Sequence, residues 1–206
     1  MSTKLYGHVL SAGSWRVRIA LNLKGLPYRF VVVHLDRGEH RTPSFLAMNP
    51  QGLLPVLKLG DGVVLTQSLA IIEWLEDTHP SPPLLPGDAV LRARIRAFAL
   101  ALAADTHPLQ TRRVLEALRV RGLAEAAVAS WAADANAKGL EACEALALAS
   151  GAFAFGALPT LADVCLVPQL AAARRAGVNV GRFPRLLAIE AACASVPAFA
   201  AAAPPL

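Results

Sequence analysis

Residues 49–77, NPQGLLPVLKLGDGVVLTQSLAIIEWLED, decide how the rest of the chain is read. Asn49-Pro50 and Gln51-Gly52 are turn dipeptides, so the segment enters through a bend. Leu54-Pro55 opens a short run, Val56-Leu57-Lys58-Leu59, that alternates enough for a strand. Asp61-Gly62 signals a hairpin, because glycine takes positive φ at little cost, and Val63-Val64-Leu65 returns as the second strand. Thr66 and Ser68 carry hydroxyls that can cap a helix, whose apolar face is Ile71, Ile72, Trp74 and Leu75. Proline has no N–H to give a sheet ladder, so Pro55 belongs at a strand entrance. A cis Leu54-Pro55 bond would turn the Leu54 amide and carbonyl outward, where an extended peptide-like ligand can pair with them. The helix start at Gln67-Ser68 offers N–H groups and a positive dipole end, which suit a carboxylate. An ordinary hairpin followed by a capped helix carries the same signature.

The whole chain narrows the classes. Its 206 residues can bury a substantial core, as one large domain or two small ones. Hydrophobic residues make up 55% and charged residues 17%, which excludes a disordered chain. The net charge of +5 comes without any Lys/Arg run and with only 6% aromatics, so small anionic ligands explain it and nucleic acid is not indicated. Cys143, Cys165 and Cys193 are odd in number and far apart on helical segments, which reads as buried thiols in a reduced, cytoplasmic protein. No signal peptide is expected, because Lys4-Leu5-Tyr6 runs straight into a strand-like segment. The uncharged stretches 145–162 and 191–206 are rich in alanine and broken by glycine or proline, so no membrane span is expected.

In chain order, Lys4 to His8 is a strand and Val9 to Gly13 a loop. Trp15, Ile19 and Leu23 recur at helical spacing. Gly25 can close that helix in the left-handed region, with Pro27 just beyond. Tyr28 to His34 is a second strand, and Thr42-Pro43 starts a short helix with threonine as cap. The first 79 residues therefore read βαβ–α–ββα, the thioredoxin-like order. His79 to Pro86 holds four prolines, and residues 80–86 are the linker. Residues 87–206 read as all-helical, with segments at 90–105, 109–121, 123–149, 161–176 and 185–194. Thr160-Leu-Ala-Asp163 has the capping-box pattern ahead of the fourth.

Four motifs now stand in register: SAGSWRVRIAL from Ser11 to Leu21, NPQGLLP, QSLAIIEWLE and TLADVCLVPQ. Their order and spacing resemble the zeta-class glutathione transferases, which include maleylacetoacetate and maleylpyruvate isomerases. The resemblance spans nearly the whole chain. It implies a thioredoxin-like α/β N-terminal domain, an all-α C-terminal domain, a homodimer, and glutathione as cofactor with a small anionic substrate. The implied chemistry is reversible addition of the glutathione thiolate to a conjugated cis double bond, rotation, and release as the trans isomer. A free thiol has a pKa near ~8.5, so the site must favour thiolate. Ser11, which matches the serine opening the family motif, is the implied donor to sulfur, with Ser14 at the same helix entrance. Leu54 would pair with the cysteinyl backbone, Gln67 and Ser68 would hold the γ-glutamyl carboxylate, and His40 the glycine end. Asp105, His107, Gln110 and Arg112 lie in a segment resembling one that lines the family's site. Arg175 matches a substrate-facing arginine, while Arg113 and Arg174 read as solvated helix residues.

The chain departs from the family where a serine and a cysteine usually follow the opening serine, having Ala12 and Gly13, and where an arginine precedes it, having Leu10. A dicarboxylate would then rely on Arg175 and Arg112. The rival readings are a transferase conjugating or dehalogenating other electrophiles, and a non-catalytic glutathione-binding protein. No G-x-S-x-G points to a hydrolase, and no histidine pair has metal-ligand spacing.

Overall fold

The computed structural model describes residues 2–148 and 150–205, which divide into two compact units. Among the described residues the first comprises 2–83 and 196–205, the second 84–148 and 150–195. No described helix is long and apolar enough to cross a membrane.

The first unit holds strand β1 (Lys4–Gly7), helix α1 (Ala12–Leu23), β2 (Arg29–Val32), the short α2 (Pro43–Leu46), β3 (Val56–Lys58), β4 (Val64–Thr66) and α3 (Ser68–Thr78). The sheet order is β2-β1-β3-β4, with β1 and β2 parallel and the other two pairs antiparallel. This is the thioredoxin-like arrangement. Leu5, Val17, Ile19, Leu57, Ile71 and Leu75 are fully buried and form its core. The local signals act as read. Gly25 closes α1 at φ 66°, and the Thr42 hydroxyl caps α2 by accepting from the Phe45 N–H. Gly62 turns the hairpin at φ 98°.

The chain's end differs from the expectation of a purely C-terminal helical domain. Residues 196–205 return to the first unit as α9 (Pro197–Ala202), which packs on α1 with Phe199 and Ala202 buried. The Asn22 amide ties it down by donating to the Ala198 carbonyl at 3.0 Å. An alanine-rich tail carried no signal of that return.

The second unit contains α4 (Ala89–Leu100), α5 (Arg112–Val120), α6 (Glu125–Leu146), α7 (Leu161–Arg175) and α8 (Pro184–Ala194). The expected helix 90–105 stops being α-helical at Leu100. It widens into a π turn, Ala101–Thr106, followed by a 3₁₀ turn, His107–Gln110. Residue 149, the expected end of α6, lies outside the described residues, as does residue 206. The capping box forms at α7. Asp163 accepts from the Thr160 N–H at 2.7 Å and the Ala154 N–H at 2.8 Å, while burial pushes its carboxyl above the usual carboxylate range. Glu144 accepts from the N–H groups of Arg185 and Leu186 at the start of α8. Cys143, Cys165 and Cys193 are buried thiols; desolvation lifts Cys143 to about 12.

One ion pair joins the ends of α1 and α3. The Lys24 side chain is fully buried, with Nζ 2.7 Å from Glu76 Oε2 and 2.7 Å from the Pro82 carbonyl. Removing Glu76 leaves the buried Lys24 ammonium with the Pro82 carbonyl and no opposite charge at this contact. Glu76→Leu should therefore cost about 3–5 kcal/mol in urea unfolding, and Lys24→Met with Glu76→Leu distinctly less. Strict additivity of the two substitutions would show that the charges are not coupled.

Candidate active site

Three pieces of the first unit converge on one corner. Ser11 is the N-cap of α1, and its Oγ accepts from the Ser14 N–H at 3.3 Å. No acidic residue stands in that first turn, so the positive end of the helix is not neutralised there. The Leu54-Pro55 bond is cis. Among the described residues no part of the chain hydrogen-bonds to the Leu54 N–H or carbonyl. Gly13 lets α1 come down on this corner: a Cβ there would lie 3.2 Å from Pro55 Cδ, 3.3 Å from the Leu54 oxygen and 3.9 Å from Ser11 Oγ. Ser11 and Leu54 are thus neighbours. At Gly13 this chain uses the absence of a side chain to pack closely.

Ser14 has a different place. It is fully buried, and its Oγ accepts from the His8 N–H at 3.3 Å. A Cβ on Gly7 would stand 2.7 Å from that oxygen, so the hydroxyl locks α1 to the end of β1. Of the two serines at this helix entrance, Ser11 is the more accessible.

The other side of the corner is α3. Thr66 pairs with Val56, so the hairpin brings Gln67 and Ser68 beside the start of β3. The expected hydroxyl cap is not what forms: no side chain caps α3. The entry is made instead by Gln67, whose φ of 67° is the one positive value at a described non-glycine residue. Its ψ of 119° lies outside the left-handed helical well. Such a conformation costs on the order of 1–3 kcal/mol and persists where the surroundings require it. Its side-chain amide donates to Gln51 Oε1 at 2.7 Å. The turn carrying Gln51 is braced by Asn49, which is buried and donates to the Leu53 carbonyl at 2.8 Å. His40 is half-buried, and its carbonyl lies 3.1 Å from where a Gly52 Cβ would be. The sequence marks Asn49 and Gln51 only as turn residues. The partner of Gln51 is 16 positions away, which no local pattern announces.

In the second unit, Asp105 stands one residue before the end of the π turn, and His107 and Gln110 bound the 3₁₀ turn. Asp105 is exposed; His107 and Gln110 are half-buried. Arg112 and Arg113 are exposed in the first turn of α5, where no acid offsets them and the Thr111 hydroxyl donates to the Pro108 carbonyl instead of capping. The two arginines ending α7 differ. Arg174 is not simply solvated. It holds Glu190 through two parallel bonds, the longer 2.6 Å, and that hydrogen bonding raises its pKa. Arg175 is shifted the other way, partial desolvation holding it below the ordinary arginine range.

A thioredoxin-like unit with a cis-proline corner flanked by two helix starts, together with a helical unit, defines a glutathione transferase fold. The model for the glutathione S-transferase N-terminal domain matches residues 10–78. A maleylpyruvate isomerase from a Ralstonia species is 48% identical over 205 residues, 98% of this chain and 96% of that protein. The holo structure of a maleylpyruvate isomerase described as a bacterial zeta-class glutathione S-transferase superposes with a TM-score of 0.94 at 48% identity, covering 98% of this chain and 96% of that one. A maleylacetoacetate isomerase from Anaeromyxobacter dehalogenans, with dicarboxyethyl glutathione and citrate in its active site, gives 0.88 at 40% identity, covering 98% and 91%. The chain belongs to the zeta-class glutathione transferase family.

The unusual backbone at Gln67 can be tested apart from its side chain. Gln67→Ala and Gln67→Gly both lose the Gln51 contact, but only glycine relieves the positive φ. The glycine variant should be more stable than the alanine variant by about 1 kcal/mol in chemical denaturation. An alanine variant as stable as the glycine one would mean that the conformation carries no strain.

Proposed function

We propose that this chain is a glutathione-dependent cis–trans isomerase of the maleylacetoacetate or maleylpyruvate type, acting in aromatic catabolism. The observation that carries the reading is the corner itself, where the uncommitted Leu54 backbone lies beside the Ser11 hydroxyl and α3 begins without a side-chain cap. These groups fit glutathione. Leu54 offers a donor and an acceptor for a peptide unit, while Gln67, Ser68 and the α3 N–H groups offer donors for a carboxylate. Bound glutathione supplies a thiolate that adds reversibly to a conjugated cis double bond and is regenerated.

The chain's own residues supply orientation and charge. Ser11 donates its hydroxyl proton to the sulfur and, with the start of α1, favours the ionised form. Ser14 holds the turn that carries Ser11. His40, Asp105, His107 and Gln110 are assigned to the cofactor by their place in the family pattern. Arg112 and Arg175 are assigned to the substrate's negative charge. Arg174 is committed to Glu190 and takes no part in this assignment. The ligand bound by the Anaeromyxobacter relative supports the substrate class, because dicarboxyethyl glutathione is a thioether in which the glutathione sulfur is bonded to a four-carbon dicarboxylate. A homodimer and a cytoplasmic location belong to the same reading. Conjugation or dehalogenation of other electrophiles is the rival, favoured by Leu10, which is 47% exposed beside Ser11.

Two experiments separate the roles. Ser11→Ala should raise the pKa of bound glutathione thiol by about one unit, read as thiolate absorbance against pH, if a bond of roughly 1.4 kcal/mol is lost. Ser14→Ala should leave that titration in place and cost about 1–2 kcal/mol of stability, because the His8 N–H loses its acceptor. Equal titrations in wild type and Ser11→Ala would remove Ser11 from the thiolate site.

Arg175→Leu should lower kcat/KM for isomerisation by roughly thirty- to a thousandfold, corresponding to 2–4 kcal/mol, with glutathione affinity nearly intact. Arg174→Leu should act mainly on stability. Equal, small kinetic effects of the two substitutions would make Arg175 a helix-surface residue only.

A further inference from the structure

The second unit buries a chain of three amides that the proposed reaction has not used. Asn136 in α6 and Gln169 in α7 are both fully buried. Gln169 Nε2 donates to Asn136 Oδ1 at 2.8 Å, and Asn136 Nδ2 donates to Gln110 Oε1 at 2.7 Å. The same Nδ2 also donates to the Ala132 carbonyl at 2.7 Å. That last bond sets the direction of the whole chain. A backbone carbonyl can only accept, so Asn136 must turn its NH₂ group towards Ala132, and its second N–H then goes to Gln110. Gln110 must answer with its oxygen, which leaves its NH₂ group at the end of the chain as a pure donor. Gln110 Nε2 is buried and meets no acceptor among the described residues.

The rest of α6 holds the same segment. Trp131 Nε1 donates to the Leu109 carbonyl at 2.9 Å. Gly139 makes room for Thr106, whose Oγ1 would lie 1.9 Å from a Cβ at that position. The turn bearing Gln110 is therefore fixed, and so is the polarity of its amide. A buried donor without an acceptor is costly inside a protein, and it becomes useful once an anionic oxygen meets it. The two arginines that follow Gln110 at the start of α5 make the local potential favourable for such an oxygen.

We propose that Asn136 and Gln169 are positioning residues that hold the Gln110 amide with its N–H groups presented as donors, and that this donor takes a carboxylate oxygen of the anionic substrate, in place of the cofactor contact that the family pattern assigns to Gln110. The assignment rests on the isomerase reading above. Gln110→Glu keeps an acceptor for Asn136 but removes the outer donor. Asn136→Asp reverses the polarity, since Gln110 must then turn its NH₂ group inward. Both should raise KM for maleylpyruvate about ten- to a hundredfold, with kcat changed much less and the calorimetric glutathione Kd within about twofold of wild type. A purely structural role would instead lower kcat and stability and leave KM alone.

A second readout needs neither turnover nor a buried acid. The side-chain amide signals of Gln110, assigned with Gln110→Met, should shift in the ¹H–¹⁵N spectrum of the wild-type protein on titration with maleate. In Gln169→Met, whose Asn136 is no longer held, the shift should be weakened. An unmoved Gln110 signal in a folded, glutathione-binding wild type, or an unchanged KM in Gln110→Glu, overturns the proposal. A maleate-dependent shift in a protein that does not isomerise maleylpyruvate would overturn the isomerase reading and leave the amide chain standing.

Discussion

The close approach of α1 to the Leu54-Pro55 corner is the contact on which the site depends. A hydroxyl, a bare peptide unit and the start of α3 can share one corner only if nothing bulky stands between α1 and the strand entrance. Gly13 meets that requirement, with Pro55 Cδ and the Leu54 oxygen both at the distance where a Cβ would begin to crowd. The sheet register then does the rest, because pairing Thr66 with Val56 brings the entry to α3 alongside. The unusual backbone of Gln67 is the local consequence: the chain must leave β4 and start a helix within one residue.

Polar groups that are buried or half-buried and answered set the helix starts of the second unit. Asp163 accepts from the N–H groups of Thr160 and Ala154, Glu144 takes the first turn of α8, and Arg185 donates to the carbonyls of Leu148, Gly151 and Phe153. Each such bond contributes modestly, but losing one partner leaves the full desolvation cost of the other. That asymmetry fixes where α7 and α8 start, and it fixes the loop between α6 and α7. The π turn at 101–106 is a related case. Thr106 is buried against Gly139 and donates to the Ala101 carbonyl at 2.7 Å, so the widened turn is held by packing and a hydrogen bond.

Much of this was legible in the residues. Turn dipeptides, the Gly25 stop, the Thr42-Pro43 start and the Thr160–Asp163 box are short-range signals with direct backbone causes, and each acts where it was read. Motif register marks Ser11, Leu54, Gln67 and Ser68, and the fold brings these positions to one corner. What escaped depends on contacts between distant positions. Ser14 shares a helix entrance with Ser11, yet only the fold reveals that its hydroxyl belongs to β1. Arg174 and Arg175 are adjacent in sequence, and only α8 distinguishes them, by placing Glu190 against the first. The return of α9 to α1 was hidden for a plainer reason, since a run of alanines is compatible with many surroundings.

The central claim is that glutathione bound at this corner is used and returned. The most direct measurement follows maleylpyruvate by NMR with the protein and a sub-stoichiometric amount of glutathione. The account predicts complete conversion to the trans isomer over many turnovers, with free glutathione recovered unchanged. Conversion that halts when the glutathione is exhausted, with a stable conjugate accumulating in its place, would contradict it and mark the protein as a transferase.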